Sequence, residues 1–286
     1  MRSSKEIKEF ITELGRKDIR IRSVLLQGSR ANPLVIPDRF QDFDIVFIVD
    51  QMDSFTADHG WTSLFGDRMI WQLPDEMQTV QDTGVQSPGF HYLMLFTDGV
   101  RIDLTLFPAE KMKSHFTRDS LTVVWLDKDS LFTAIDLPGD KDYLIRKPAE
   151  KEFAECCNEF WWVSTYITKG LARKQISYTK AMMEGPVRKM FMRMIEWYIG
   201  TETKFSVSFG MSGKMMKTHL DQKEYKKILK TYPDYKIKNI RKSLFLMTDL
   251  FSKYAEQVSE ILHYDYNQDE YMIVKEYLHW QSSERK

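Results

Sequence analysis

Two aspartates one residue apart open an otherwise apolar run. In "QDFDIVFIVD", Asp42 and Asp44 lead into β-branched and aromatic residues. Aspartate is a poor strand former, and a buried carboxylate is costly unless something pairs with it. Side chains alternate along a strand, so Asp42, Asp44, Val46 and Ile48 share one face, and Phe43, Ile45, Phe47 and Val49 share the other. A third carboxylate stands in "RIDLTLF", where Asp103 shares a face with Arg101 and Thr105 while Ile102, Leu104 and Leu106 point away. If the two strands are neighbours, three carboxylates meet at one spot. Their mutual repulsion is relieved by a divalent cation. An oxygen-only ligand set favours Mg²⁺, which also binds substrate phosphates. Two such ions about 3.5–4 Å apart can activate an attacking oxygen and stabilise a leaving phosphate.

The turn upstream supplies features of a phosphate site. Gly28 lets the backbone approach an anion, and Ser29 offers a hydroxyl and an N–H. A helix starting there would aim free N–H groups at phosphate oxygens. The turn is not a Walker loop, because no G-x-x-x-x-G-K-[ST] is present. Gly-Ser alone is a common turn, and D-x-D alone is a common strand end. The combination is more specific: a strand, Gly-Ser, Asp42 thirteen residues beyond Ser29, an apolar strand, and a third aspartate on a later strand.

The elements that must position these groups fall into two halves, with a boundary at 147/148. Residues 1–147 mix helix and strand. "SSKEIKEFITELG" reads as a helix with Ser3 and Glu6 at capping-box spacing and a C-cap at Gly15. "IRSVLLQ", "DFDIVFIV" and "LTVVWLD" read as strands, and "FHYLMLFTDGVRIDLTLF" reads as a hairpin turning at Asp98-Gly99. Residues 148–286 are helical throughout. Pro148 opens a helix to about Ala172, and further helices are predicted over 178–199, 213–220, 222–231, 237–262 and 269–281. Pro186 is expected to kink or interrupt the second, and Asp221 with Glu224 forms another capping box. The fold class is therefore α+β, a mixed sheet with flanking helices followed by a C-terminal helical bundle.

Charge is balanced overall but unevenly placed. Residues 1–147 carry 18 basic and 23 acidic side chains, and residues 148–286 carry 23 and 18. The basic surplus is concentrated in 204–242, with 11 basic against 3 acidic. That is less than a protein tracking nucleic acid usually shows. No stretch approaches the roughly 20 apolar residues of a membrane span, and the N-terminus lacks the apolar core of a signal peptide. Cys156 and Cys157 are adjacent, which disfavours an ordinary disulfide between them. The expectation is a reduced, cytoplasmic protein.

Taken together, "LLQGSRAN", "FQDFDIVFIVD", "GVRIDLTLFP", "LDKD" (126–129), "EFWWVSTYITKGLARKQISYTK" (159–180) and "GMSGKMMKTHL" (210–220) resemble the nucleotidyltransferase superfamily of the DNA polymerase β type. Within it, the likeness is to the aminoglycoside 6-adenylyltransferases, which modify streptomycin, and it spans essentially the whole chain. The resemblance implies antibiotic resistance by Mg²⁺-dependent transfer of AMP from ATP to an aminoglycoside hydroxyl, with release of pyrophosphate. It implies that Asp42, Asp44 and Asp103 hold the metal, with Asp103 also able to accept the hydroxyl's proton. It places Gly28, Ser29 and Arg30 at the nucleotide, with Lys214 on the triphosphate. Lys217 joins Lys214 because cations near the start of a helix oppose its dipole and suit a nearby anion.

An aminoglycoside is a polycation, so its pocket needs carboxylates and flat rings. Glu155, Glu159, Trp162 and Tyr166 fall at i, i+4, i+7 and i+11 on one helix face. Against this stands a bland reading, in which Trp161 and Trp162 are core and the glutamates are solvated. Glu184, beside Pro186, is a further substrate candidate. The expected partners are small molecules, with no nucleic acid, no membrane and a monomeric chain. The competing acceptors are an RNA end or a protein side chain. A non-catalytic nucleotide sensor would not need three clustered carboxylates.

Overall fold

Helix α1 (Ser4–Lys17) starts where the capping-box spacing predicts. The Ser3 hydroxyl accepts from the Glu6 N–H at 3.2 Å, and the Glu6 carboxylate accepts from the Ser3 N–H at 2.7 Å. The helix does not stop at Gly15. It runs on to Lys17 with Asp18 as C-cap. Gly15 is instead a packing residue, since a Cβ there would lie 2.6 Å from Val24 Cγ2. The structure is a computed structural model that describes residues 1–78, 88–132 and 136–283. It forms two units, Met1–Asp142 and Tyr143–Lys286.

The first unit is built on one sheet of six strands: β1 (Ile21–Gln27), β2 (Phe43–Val49), β3 (Arg68–Gln72), β4 (Phe90–Phe96), β5 (Arg101–Pro108) and β6 (Thr122–Asp127). Their order is β3-β4-β5-β2-β1-β6. Only β2 and β5 run parallel, and the other pairs are antiparallel. Two short helices, α2 (Asp53–Thr56) and α3 (Met112–His115), lie in its connections.

Alternation sets the two faces as the sequence implies. Phe43, Ile45, Phe47 and Val49 enter the larger core with Ile102, Leu104, Leu106 and the apolar stripe of α1. Val46 and Ile48 pack on the opposite face with Leu25 and Phe107. The β4–β5 hairpin turns at Gly99, whose φ of 80° lies in the left-handed region. Arg2 clamps this turn, with Nε 2.9 Å from Asp98, and its guanidinium holds the Asp98 carboxyl well below the usual range.

The second unit is helical: α4 (Glu150–Ala172), α5 (Ile176–Met182), α6 (Arg188–Glu202), α7 (Met216–His219), α8 (Gln222–Leu229), α9 (Ile237–Leu262) and α10 (Gln268–Ser283). Its core interleaves α4, α6 and α9, and Phe160 stacks on Phe251 with ring centroids 3.7 Å apart. Cys156 and Cys157 are free and buried in this core, and burial pushes the Cys156 thiol up to about 12. No described helix is long and apolar enough to cross a membrane.

Pro186 interrupts the expected 178–199 helix without ending it. Residues Met183–Val187 form a single π turn between α5 and α6, a wider turn that carries the helix past a residue with no N–H to donate. The expected 213–220 helix is replaced by a 3₁₀ turn, Met211–Gly213, and the four-residue α7. Gly210, Ser212 and Gly213 all have positive φ there, so regular helix cannot start earlier.

Half of the second predicted capping box forms. Asp221 accepts from the N–H groups of Lys223 and Glu224. The Glu224 side chain turns inward instead, 2.6 Å from Lys253 Nζ and 2.7 Å from the Tyr254 hydroxyl. Burial raises the Glu224 carboxyl, but these contacts outweigh it and the group sits below its usual range. Replacing Glu224 by Ala is expected to cost about 2 kcal/mol, the scale for stranding a buried polar group. The Tyr254 hydroxyl would lose its acceptor, whereas half-exposed Lys253 can turn to water. An unchanged urea midpoint for that variant would contradict this.

Candidate active site

The sheet register decides what the aspartates can do. Asp44 on β2 pairs directly with Asp103 on β5, and Gln27 on β1 pairs with Asp44. Paired residues on adjacent strands project to the same face. A row therefore crosses one face of the sheet: Thr122, Gln27, Asp44, Asp103 and Leu93. It lies at the starts of β2 and β5, beyond the apolar cover formed by Val46, Ile48 and Phe107. Asp42 stands one step before β2, and Asp42, Asp44 and Asp103 are all partly exposed.

The carboxylates converge on a cation that the chain itself provides. Arg101, the first residue of β5, forms a two-pronged contact with Asp103 through Nε and Nη2 at 2.8 and 2.7 Å. Its Nη1 lies 3.5 Å from Asp42 Oδ2. Burial pushes the Asp42 carboxyl up; Arg101 opposes this and the Asp103 charge adds to it. Among the described residues, no three acidic, histidine or cysteine side chains stand close enough to chelate an ion as placed. The donor set nevertheless suits a hard divalent ion: carboxylate oxygens only, on adjacent strands, with Asp42 and Asp103 already sharing one positive charge.

Gly28 adds a second fitted feature. Its φ is 70°, and a Cβ built there would run into the Asp44 carboxylate. The absent side chain leaves the backbone directly against that oxygen. The turn continues as a 3₁₀ segment, Gly28–Arg30, rather than the longer helix that the sequence allowed. Ser29 lies in it and accepts from Gln41 Nε2 at 3.2 Å through its carbonyl. Arg30 is committed to the fold. It donates to the carbonyls of Gln41 and Asp42 at 2.7 and 3.0 Å, donates to Ser4 Oγ at 3.0 Å, and stacks 3.8 Å over the Phe43 ring. It thus fixes the backbone that presents Asp42.

The expected residues of the helical unit lie on its surface with one exception. Glu155, Glu159 and Trp162 are exposed on α4 and Tyr166 is half-buried, so one helix face presents all four. Trp161 is core, while Trp162 is 62% exposed and donates to the Tyr166 hydroxyl at 2.7 Å. Glu155 has Lys151 at 3.7 Å. Lys214 follows the 3₁₀ turn and Lys217 lies in α7, both exposed. Glu184 is the exception: Arg188 at 3.0 Å and Lys180 at 3.4 Å take up its carboxylate.

Two residues of the site carried no assignment in the sequence reading. Gln27 donates to Thr122 Oγ1 at 3.2 Å and borders Asp44. Its place as the last strand residue before Gly-Ser was the available signal. Arg101 was visible as a face-mate of Asp103, but its pairing with both aspartates was not.

A sequence profile of the family described as streptomycin adenylyltransferase matches residues 1–281. An aminoglycoside 6-adenylyltransferase of Campylobacter jejuni is 41% identical over 266 residues, 93% of this chain and 91% of that protein. One from Bacillus subtilis (strain 168) is 39% identical over 267 residues, 93% of each. A crystal structure of an aminoglycoside 6-adenyltransferase from Bacillus subtilis is 34% identical, covering 99% of this chain and 100% of that one, with a TM-score of 0.49.

Proposed function

The chain belongs to the streptomycin adenylyltransferase family, and from that membership we propose that it transfers AMP from ATP to an aminoglycoside hydroxyl, releasing pyrophosphate and inactivating the drug. We assign the 6-hydroxyl of streptomycin as acceptor. The observation that carries the reading is a family match running through both units, residues 1–281. The need for ATP places the reaction in the cytoplasm.

Asp42, Asp44 and Asp103 are the residues that would hold Mg²⁺. When bound, the ion supplies positive charge to the phosphates and to the departing pyrophosphate. Gly28 and Ser29 offer bare backbone and a hydroxyl to the same phosphates, and Lys214 and Lys217 offer positive charge. Arg30 and Gln27 keep the ends of β1 and β2 in place around them. The acceptor oxygen attacks the α-phosphorus in line, the bond to pyrophosphate breaks, and the hydroxyl proton leaves. Asp103 is assigned chiefly to the metal, with a smaller share in taking that proton, because a metal-bound carboxylate is a weak base. Glu155, Glu159, Trp162 and Tyr166 present the charges and rings that a guanidinium-bearing sugar requires.

Incubation with ATP, Mg²⁺ and a panel of aminoglycosides tests the reading. Pyrophosphate release and an AMP-sized mass gain on streptomycin are expected, and release at background with every member of the panel would refute it. Glu159→Gln is expected to raise the aminoglycoside KM about tenfold, the worth of one charge-assisted hydrogen bond, and to leave the ATP KM alone. An unaltered aminoglycoside KM would remove Glu159 from the pocket.

A further inference from the structure

We propose that Arg101 is a triphosphate-binding residue: it holds Asp103 and Asp42 until a divalent cation takes them, then transfers its guanidinium to the nucleotide's phosphates. The inference rests on the adenylyltransferase reading above and deepens it.

The contacts of Arg101 carry the argument. Both Asp103 oxygens accept from its fork, at 2.8 and 2.7 Å, and Asp42 lies 3.5 Å from the remaining nitrogen. A divalent cation of the Mg²⁺ type binds oxygen lone pairs at about 2.0–2.1 Å in a tight octahedron. The two-pronged guanidinium fills one lone pair on each Asp103 oxygen and sets a positive charge where a metal would bring its own, so the two compete for the carboxylate. Metal binding at Asp103 is therefore favoured when Arg101 lets go.

The arginine is free to do so. Its side chain is 45% exposed, against 21% for Asp103. It sits at the first position of β5, and among the described residues its guanidinium bonds and ion pairs go to Asp103 and Asp42. Arg30 shows the contrast, being locked by main-chain carbonyls and stacked on Phe43. A released Arg101 remains charged, because a guanidinium does not deprotonate in proteins. Its planar fork fits phosphate oxygens as well as carboxylate oxygens. Phosphates drawn to the aspartates by their metal arrive beside it. Losing Asp103 and gaining phosphate are then linked, so nucleotide and metal promote one another's binding.

Mn²⁺ serves as the probe, titrated alone by calorimetry into the full-length wild type, Arg101→Gln, Arg101→Lys and Asp44→Asn. The ATP KM is measured in parallel for both Arg101 variants. Arg101→Gln is expected to bind Mn²⁺ about tenfold tighter than wild type and to raise the ATP KM about tenfold, within the range of ordinary coupling between sites. Arg101→Lys, which keeps the charge without the fork, is expected to fall between. Equal or weaker Mn²⁺ affinity in Arg101→Gln overturns the competition, and an unchanged ATP KM overturns the transfer to phosphate. Asp44→Asn separates this failure from a failure of the metal reading. If it leaves Mn²⁺ affinity untouched, the aspartates are not the metal site and both ideas fall. If it weakens Mn²⁺ while Arg101→Gln tightens nothing, only the role of Arg101 is lost.

Discussion

Asp44→Asn is expected to lose AMP transfer by about three orders of magnitude while melting near the wild-type temperature. Removing one preorganised charge from a site where charge develops acts on that scale. The substitution keeps shape and removes one negative charge from a face that already carries Asp42 and Asp103. Activity should therefore fall far more than stability, because the lost charge both faced Asp42 and Asp103 and attracted Arg30 and Arg101, whereas the grip on a cation weakens outright. Pyrophosphate release and thermal unfolding on the same preparation check both halves. Wild-type turnover in the variant would sink the proposed metal role, and a collapse in melting temperature would make Asp44 a structural residue.

How much of this was legible in the sequence depends on which interaction set each feature. Strand alternation is local, so the separation of Asp42, Asp44 and Asp103 from Phe43, Ile45 and Ile102 could be read directly. The α1 capping box was legible for the same reason, since Ser3 and Glu6 satisfy each other within one turn. The register pairing Asp44 with Asp103 is not local. It depends on β2 and β5 lying side by side and parallel, across more than fifty residues of chain. Neither residue alone states that.

Strand β3 escaped because it is a short edge strand whose Met69 and Ile70 are exposed, so "RMIWQ" shows no buried alternation. Gly15 looked like a helix stop, yet close approach to Val24 is what requires glycine there. Arg30 stood in the Gly-Ser-Arg motif, where its contacts within the fold could not be read. Its guanidinium is spent on the carbonyls of Gln41 and Asp42, which only the folded loop brings near. Glu224 had the spacing of a capping partner, but Tyr254 and Lys253 on α9 offered a buried alternative. In each case a tertiary contact outbid a local preference.

Gly28→Ala is expected to be the most damaging single substitution outside the carboxylates. Two independent penalties fall on it. The left-handed backbone at φ 70° costs an L-residue about 1–2 kcal/mol, and the added Cβ collides with the Asp44 carboxylate. The first lowers stability, and the second displaces the side chain that the proposed metal site needs. Activity should fall about a hundredfold or more, as misplacement by an ångström does in a positioned site. Because the clash acts through Asp44, its effect on turnover must not add to that of removing the Asp44 charge. Adding Gly28→Ala to Asp44→Asn should leave the residual rate nearly where Asp44→Asn alone put it. If the two losses of rate multiply instead, Gly28 serves the nucleotide directly and not through Asp44.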